Sequence, residues 1–98
     1  MIVSITFKNN YGAVPYTAAS VETSFADTQM ALQDAFGKTQ NVFKSWSENP
    51  QSGVTVCYHN FDGTPLRSSM VGDEFTIFDD DGAATKFEVA RVGFKEVA

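Results

Sequence analysis

The chain has 98 residues, enough for one independent core and too few for two, and its 43% hydrophobic content with nine Phe supplies the apolar surface that disordered chains lack. A formal net charge of −5 and a pI near 4.5 argue against a direct grip on nucleic-acid phosphates, which needs clustered Lys and Arg. No apolar run approaches the ~20 residues of a membrane-spanning helix, and the opening "MIVSITFKNN" lacks the basic flank of a secretory leader, so one cytoplasmic domain, residues 1–98, with no membrane contact is expected.

In "IVSITF", residues 2–7, Val3, Ile5 and Phe7 alternate with Ile2, Ser4 and Thr6, the period of two that turns one strand face toward a core. The following "KNNYG" carries Asn and Gly suited to a chain reversal. A second strand is expected over Val14–Val21, where Pro15 donates no ladder hydrogen bond and so points to a sheet edge or an irregular beginning.

The period changes at "SFADTQMALQDAFG". Ser24, followed three residues later by Asp27, reads as a capping box with Asp in place of Glu, and Phe25, Leu32, Ala35 and Phe36 follow helical spacing. Gly37 is expected to cap this helix, with "KTQNVFKSW" adding a further turn or a short second helix before "SENPQSG" breaks the chain. Trp46 then falls at the rim of the helical region.

From Gly53 the pattern is strand, turn, strand. "VTVCYHNF" places Val54, Val56 and Tyr58 on one face, and the Asp-Gly pair of "FDGTP" favours a tight turn. Within that apolar alternation the lone Cys57 reads as a buried structural thiol, and His59 as a partly exposed strand residue. Cys57 and His59, two apart on a strand, would stand ~7 Å from each other, too far for a catalytic hydrogen bond. Gly72 and Asp73 read as a turn into "EFTIF", with Asp73 able to accept nearby backbone amides. "EFTIF" and "KFEVARVGF" are joined by "DDDGAAT", a hairpin in which Gly82 can take positive φ. Together these elements predict an α+β fold, an antiparallel sheet of four to five strands with one main helix packed on one face, parallel pairing of the N-terminal strand being left open.

No nucleotide-cradling glycine motif occurs and one histidine cannot build a His-rich metal cage, so no cofactor and no metal are expected, and no catalytic constellation emerges. Asp79, Asp80 and Asp81 are contiguous, whereas a calcium loop alternates its ligands and closes with Glu. They read first as a solvated hairpin turn, second as an acidic knob facing a partner, and last as a cation site. Residues 1–60 hold four acids and three bases, and residues 61–98 hold eight acids and four bases, so an acidic face comes mostly from the C-terminal third. Of the rings in this third, Phe75, Phe78, Phe87 and Phe94, most are expected in the core, with the remainder available to an interface.

The stretch from residue 58 to 97 carries Arg67, Ser68, Ser69, Val71, Gly72 and Asp73, then Gly82, then Val92, Gly93, Phe94 and Glu96. This succession, an "RS-small-SVGD"-like turn, a strand, a "DG" turn and a terminal "VGF" followed by an acid, resembles the C-terminal module of small proteins of phages, plasmids and other mobile elements, including the YodL-like group. The acidic "DDDGAAT" turn is longer than in that pattern, and the first fifty residues carry no comparable likeness. The resemblance implies an accessory protein that binds and blocks host machinery, and it carries over no catalytic residue. The expected function is therefore a non-enzymatic inhibitor of a host defence or nucleic-acid-processing protein. Its acidic and aromatic surface would comprise Asp73, Glu74, Asp79, Asp80, Asp81 and Trp46, facing a basic partner. The alternative is an oligomer that sequesters a small molecule or nucleotide.

Overall fold

In the computed structural model, which describes residues 1–8 and 13–97, the alternation of the first strand is carried directly into the interior. Val3, Ile5 and Phe7 of β1 (Ile2–Phe7) are fully buried, while Ser4 and Thr6 face the opposite side. β2 (Tyr16–Glu22) runs antiparallel to it, with Phe7 opposite Tyr16 and Ile2 opposite Glu22. The register slips once. Ile5 pairs with Ala19 and Thr6 with Thr17, so Ala18 is the extra residue of a bulge, and Ala18 and Ala19 are both buried. The chain reversal expected at "KNNYG" falls on residues 9–12, outside the described residues.

Helix α1 spans Thr28–Lys38. Its N-cap is Asp27, whose carboxylate accepts the Met30 amide at 3.0 Å, and not Ser24. Nor does Gly37 cap the other end. Gly37 lies within the helix, and the cap is Thr39, whose hydroxyl donates to the Ala35 carbonyl at 2.9 Å. The helix buries Ala31, Leu32 and Ala35, small side chains around one leucine that let it lie close on β1 and on β4 (Glu74–Phe78). Burial of Leu32 alone contributes about 2 kcal/mol. "KTQNVFKSW" forms no second helix; after Thr39 the chain becomes an irregular loop.

β3 (Val54–Val56) follows, then β4, β5 (Ala84–Val89) and β6 (Phe94–Glu96). The sheet order is β3-β2-β1-β4-β5-β6 and every adjacent pair is antiparallel. The fold is thus α+β with one helix on an antiparallel sheet. Among the described residues the strands number six because "KFEVARVGF" is broken by a tight turn, in which the Ala90 amide donates to the Gly93 carbonyl at 3.0 Å, and so yields β5 and β6. β2 is interior, and Pro15 sits just before it, an irregular beginning and not an edge. β3 depends on Gly53. Its φ is +88°, its carbonyl accepts the Glu22 amide at 2.8 Å, and a Cβ there would stand 2.5 Å from the Glu22 carbonyl oxygen.

Two ring clusters complete the core. Phe36 of α1 stands against Phe75 and Phe94 at 6.4 and 6.2 Å, and Phe75 and Phe94 are themselves 5.4 Å apart. At the other margin of the helix Phe7 meets Tyr16 at 5.7 Å and Trp46 at 6.2 Å.

Candidate functional site

The register of β1 against β4 defines two ends of the sheet. Ile2 lies opposite Phe78 at one end and Thr6 opposite Glu74 at the other, about 14 Å apart at ~3.4 Å per residue. The residues expected to form one partner-facing surface are divided between these ends.

Asp79, Asp80 and Asp81 lie at the Phe78 end, in the turn joining β4 to β5, and all three are exposed. The turn is closed by the Gly82 amide donating to the Asp79 carbonyl and the Asp79 amide donating to the Ala83 carbonyl, each at 3.0 Å, with Gly82 at φ +81°. Asp79 Oδ1 accepts the amides of Asp81 and Ala83 at 3.0 and 2.9 Å. One aspartate therefore shapes the turn, and Asp80 and Asp81 carry its charge outward. Adjacent side chains diverge here, and among the described residues no three His, Cys, Asp or Glu side chains are grouped as cation ligands.

Beside this tip, on the sheet face that α1 leaves open, Ile2 and Phe78 are cross-strand neighbours exposed by 46% and 40%. Ile2 has Glu22 on its other side. The result is an apolar pair with Glu22 on one flank and the aspartate turn on the other. The sequence pattern identified the acids; it did not identify Ile2 or Glu22, because only the register brings them beside Phe78.

At the far end, Asp73 and Trp46 are corrections: both are interior, with Asp73 fully buried and Trp46 only 3% exposed. Asp73 accepts the amides of Lys8 and Met70, each at 2.9 Å, and both terminal nitrogens of Arg67 at 2.8 and 2.7 Å. The expected acceptance of nearby amides by Asp73 is present, but the carboxylate faces inward. Arg67, at 4.1 Å from the Phe7 ring centroid, is the partner that the sequence reading passed over, although the six-residue spacing in "RSSMVGD" was the available signal. Trp46 is held by its indole N–H on the Arg67 carbonyl at 2.7 Å and by its own amide on Asn41 Oδ1 at 3.0 Å. Glu74 is half-buried and lies between Lys8 at 3.5 Å and Lys86 at 3.9 Å. Its charge is locally balanced, so it adds little to an acidic surface.

Cys57 is exposed, contrary to the expectation of a buried thiol. Val54, Val56 and Tyr58 do share the inward face, and this alternation turns Cys57 outward with Thr55. His59 lies beyond the end of β3, exposed, on an open hollow of about 190 Å³ that also includes Glu48, Tyr58 and Leu66. Among the described residues, two groups depart from their ordinary acidity. The Thr64 hydroxyl and amide, 2.7 and 3.0 Å from Asp62 Oδ1, hold that carboxyl below 3.8. Burial raises the Tyr16 phenol above 10.0, partly offset by the Arg67 charge.

No protein family, curated protein or solved structure matches this chain.

Proposed function

We propose that this chain is a non-enzymatic accessory protein of phage or mobile-element type, acting in the host cytoplasm, that binds and inhibits a host protein through the acidic end of its sheet. The observation that carries the reading is the exposed Ile2–Phe78 pair with Glu22 on one side and Asp79 to Asp81 on the other. An apolar centre with a charged rim is the usual anatomy of a protein-binding patch. Phe78 supplies the anchor that leaves water on binding, while Asp80 and Asp81 steer a basic partner and select against acidic ones. The "RSSMVGD" segment, which carries much of the mobile-element resemblance, has the supporting task of beginning β4 through Asp73, so that Phe78 and the turn are presented on a fixed strand.

The test is affinity capture from host lysate with wild-type protein, Phe78→Ser, and Asp80→Asn/Asp81→Asn. Asp79 is left intact because its carboxylate shapes the turn. A specific partner retained by wild type, lost with Phe78→Ser, and released from wild type by salt is expected. A partner retained equally by all three proteins, or no specific partner at all, overturns the reading.

A further inference from the structure

We infer that the opposite end of the molecule, where β1 finishes and β4 begins, docks a second copy of this chain in an isologous pair. Val14, Val42, Phe43, Phe61 and Val92 are the large apolar side chains more than half exposed among the described residues, and all five belong to segments at this end. The registers place them there. Val14 precedes Tyr16, which pairs with Phe7; Val92 lies in the turn after Val89, whose amide donates to the Asp73 carbonyl. The Phe43 and Phe61 loops both close onto residues 64–69.

Phe43 and Phe61 are 105% and 108% exposed, yet their loops are fixed. The Phe43 loop is held at its base by Asn41, whose amide donates to Ser68 Oγ at 2.7 Å and whose side chain donates to the Leu66 carbonyl at 3.0 Å. At its tip the Lys44 amide donates to the Val42 carbonyl at 2.7 Å, a γ-turn that forces Phe43 to φ +64°. It is the one non-glycine residue with positive φ among the described residues, and it is a bulky aromatic. Such strain persists only where surrounding bonds impose it, and here it aims a phenyl ring into solvent. Phe61 sits in a turn closed by Gly63 N–H on the Asn60 carbonyl at 3.0 Å and buttressed by Asn60 Nδ2 on the Thr64 carbonyl at 3.1 Å. Rings on pre-ordered loops lose little conformational freedom on docking.

Three features specify a second copy as the occupant. The same end that carries these knobs also carries hollows: a mainly apolar one of about 300 Å³ lined by Phe36, Val89, Ala90 and Phe94 with Gln33 and Arg91 at its edge, and a mixed one of about 190 Å³ in which Tyr58, Pro65 and Leu66 stand beside Glu48, His59 and Thr64. Projections and recesses on one surface are what a twofold interface requires. Charge is nearly balanced at this end, where Lys8, Lys44, Arg67, Lys86, Arg91 and Lys95 face Glu48, Asp62, Asp73, Glu74 and Glu88, so two chains of net charge −5 meet there without strong repulsion. A stable interface covers about 800 Å² per partner, a modest share of the 6087 Å² surface of the chain. Pairing in this way turns both acidic ends outward, and it holds whether or not those ends bind a host protein.

Sedimentation velocity over a concentration series tests the inference with wild type, Phe43→Gly, Phe61→Ser and Asp80→Asn/Asp81→Asn, each checked by thermal unfolding. Wild type and the aspartate variant are expected at twice the 10.7 kDa chain mass, insensitive to added salt. Each ring variant is expected to dissociate about tenfold more readily or worse, and Phe43→Gly to gain intrinsic stability as a monomer through relief of the positive φ. Wild type at 10.7 kDa throughout overturns the inference. So do ring variants that remain paired, or a monomer that co-floats with phosphatidylcholine vesicles through its rings, which would assign them to lipid.

Discussion

A single carboxylate organises one end of this protein. Asp73 gathers the amides of Lys8 and Met70 and both terminal nitrogens of Arg67, and so joins the end of β1, the start of β4 and the segment between β3 and β4. In Asp73→Asn the shape is kept and the charge is lost, and one amide nitrogen faces donors where an oxygen had accepted them. Because the Arg67 side chain is 26% exposed and partly solvated, the expected loss is about 3 kcal/mol, the low end for breaking a buried pair, read from urea unfolding. A loss under about 1 kcal/mol would mean that water replaces the carboxylate cheaply and that Asp73 is not central. Above this network lies Tyr16, stacked on Tyr58 at 3.8 Å, whose phenol is raised above 10.0 chiefly by burial. The unfolded chain gives up that proton first, so the contribution is fully present below pH 10.0 and is lost as pH rises through the folded value. The melting temperature of wild type is therefore expected to fall more steeply than that of Tyr16→Phe above pH 10.0; parallel curves would remove Tyr16 from the alkaline transition.

Helix α1 illustrates what local sequence conveys about an element and what it does not. Ser24 and Asp27 are both good capping residues, and the spacing between them suits a capping box, so the sequence alone favoured the earlier start. The structure begins the helix at Thr28 because residues 23–26 are still leaving β2: Thr23 donates its amide to the Met1 carbonyl at 2.9 Å, and its hydroxyl accepts the Phe25 amide at 3.3 Å. Those contacts hold the chain out of helical geometry until Asp27. Asp27→Ala is accordingly expected to cost about 1 kcal/mol in chemical denaturation and Ser24→Ala close to nothing, and the reverse order would restore Ser24 as the cap. The strands were more legible, since the period-two alternation of "IVSITF" and the placing of Val54, Val56 and Tyr58 on one face agree with the faces the structure turns inward. Cys57 was misplaced even so, because hydrophobic type outweighed position: it stands between Val56 and Tyr58, and a strand cannot turn three successive side chains inward.

At the scale of the whole molecule, unbalanced acidity and the most exposed apolar side chains lie at opposite ends, and this polarity was only half visible in the chain. The excess of acids in residues 61–98 was apparent from composition, but Asp73 and Glu74 belong to that excess and are neutralised at the far end by Arg67 and by Lys8 and Lys86. Conversely Glu22, from the first third, joins the aspartate turn through the register of β2, β1 and β4. Neither Asp80 nor Asp81 has a counterion among the ion pairs of the described residues, so the folded state holds like charges closer together than an expanded chain does. The screening length falls from about 30 Å at 0.01 M salt to about 10 Å at 0.1 M, comparable to the dimensions of one end of a 38 × 29 × 24 Å molecule. Added salt therefore relieves repulsion at the acidic end while weakening only exposed, low-value pairs at the other. The melting temperature of wild type is expected to rise across this range, and that of Asp80→Asn/Asp81→Asn to start higher and rise less. Should salt lower the wild-type value, the surface ion pairs outweigh the acidic repulsion and the charge of this fold is not polarised in the way its registers imply.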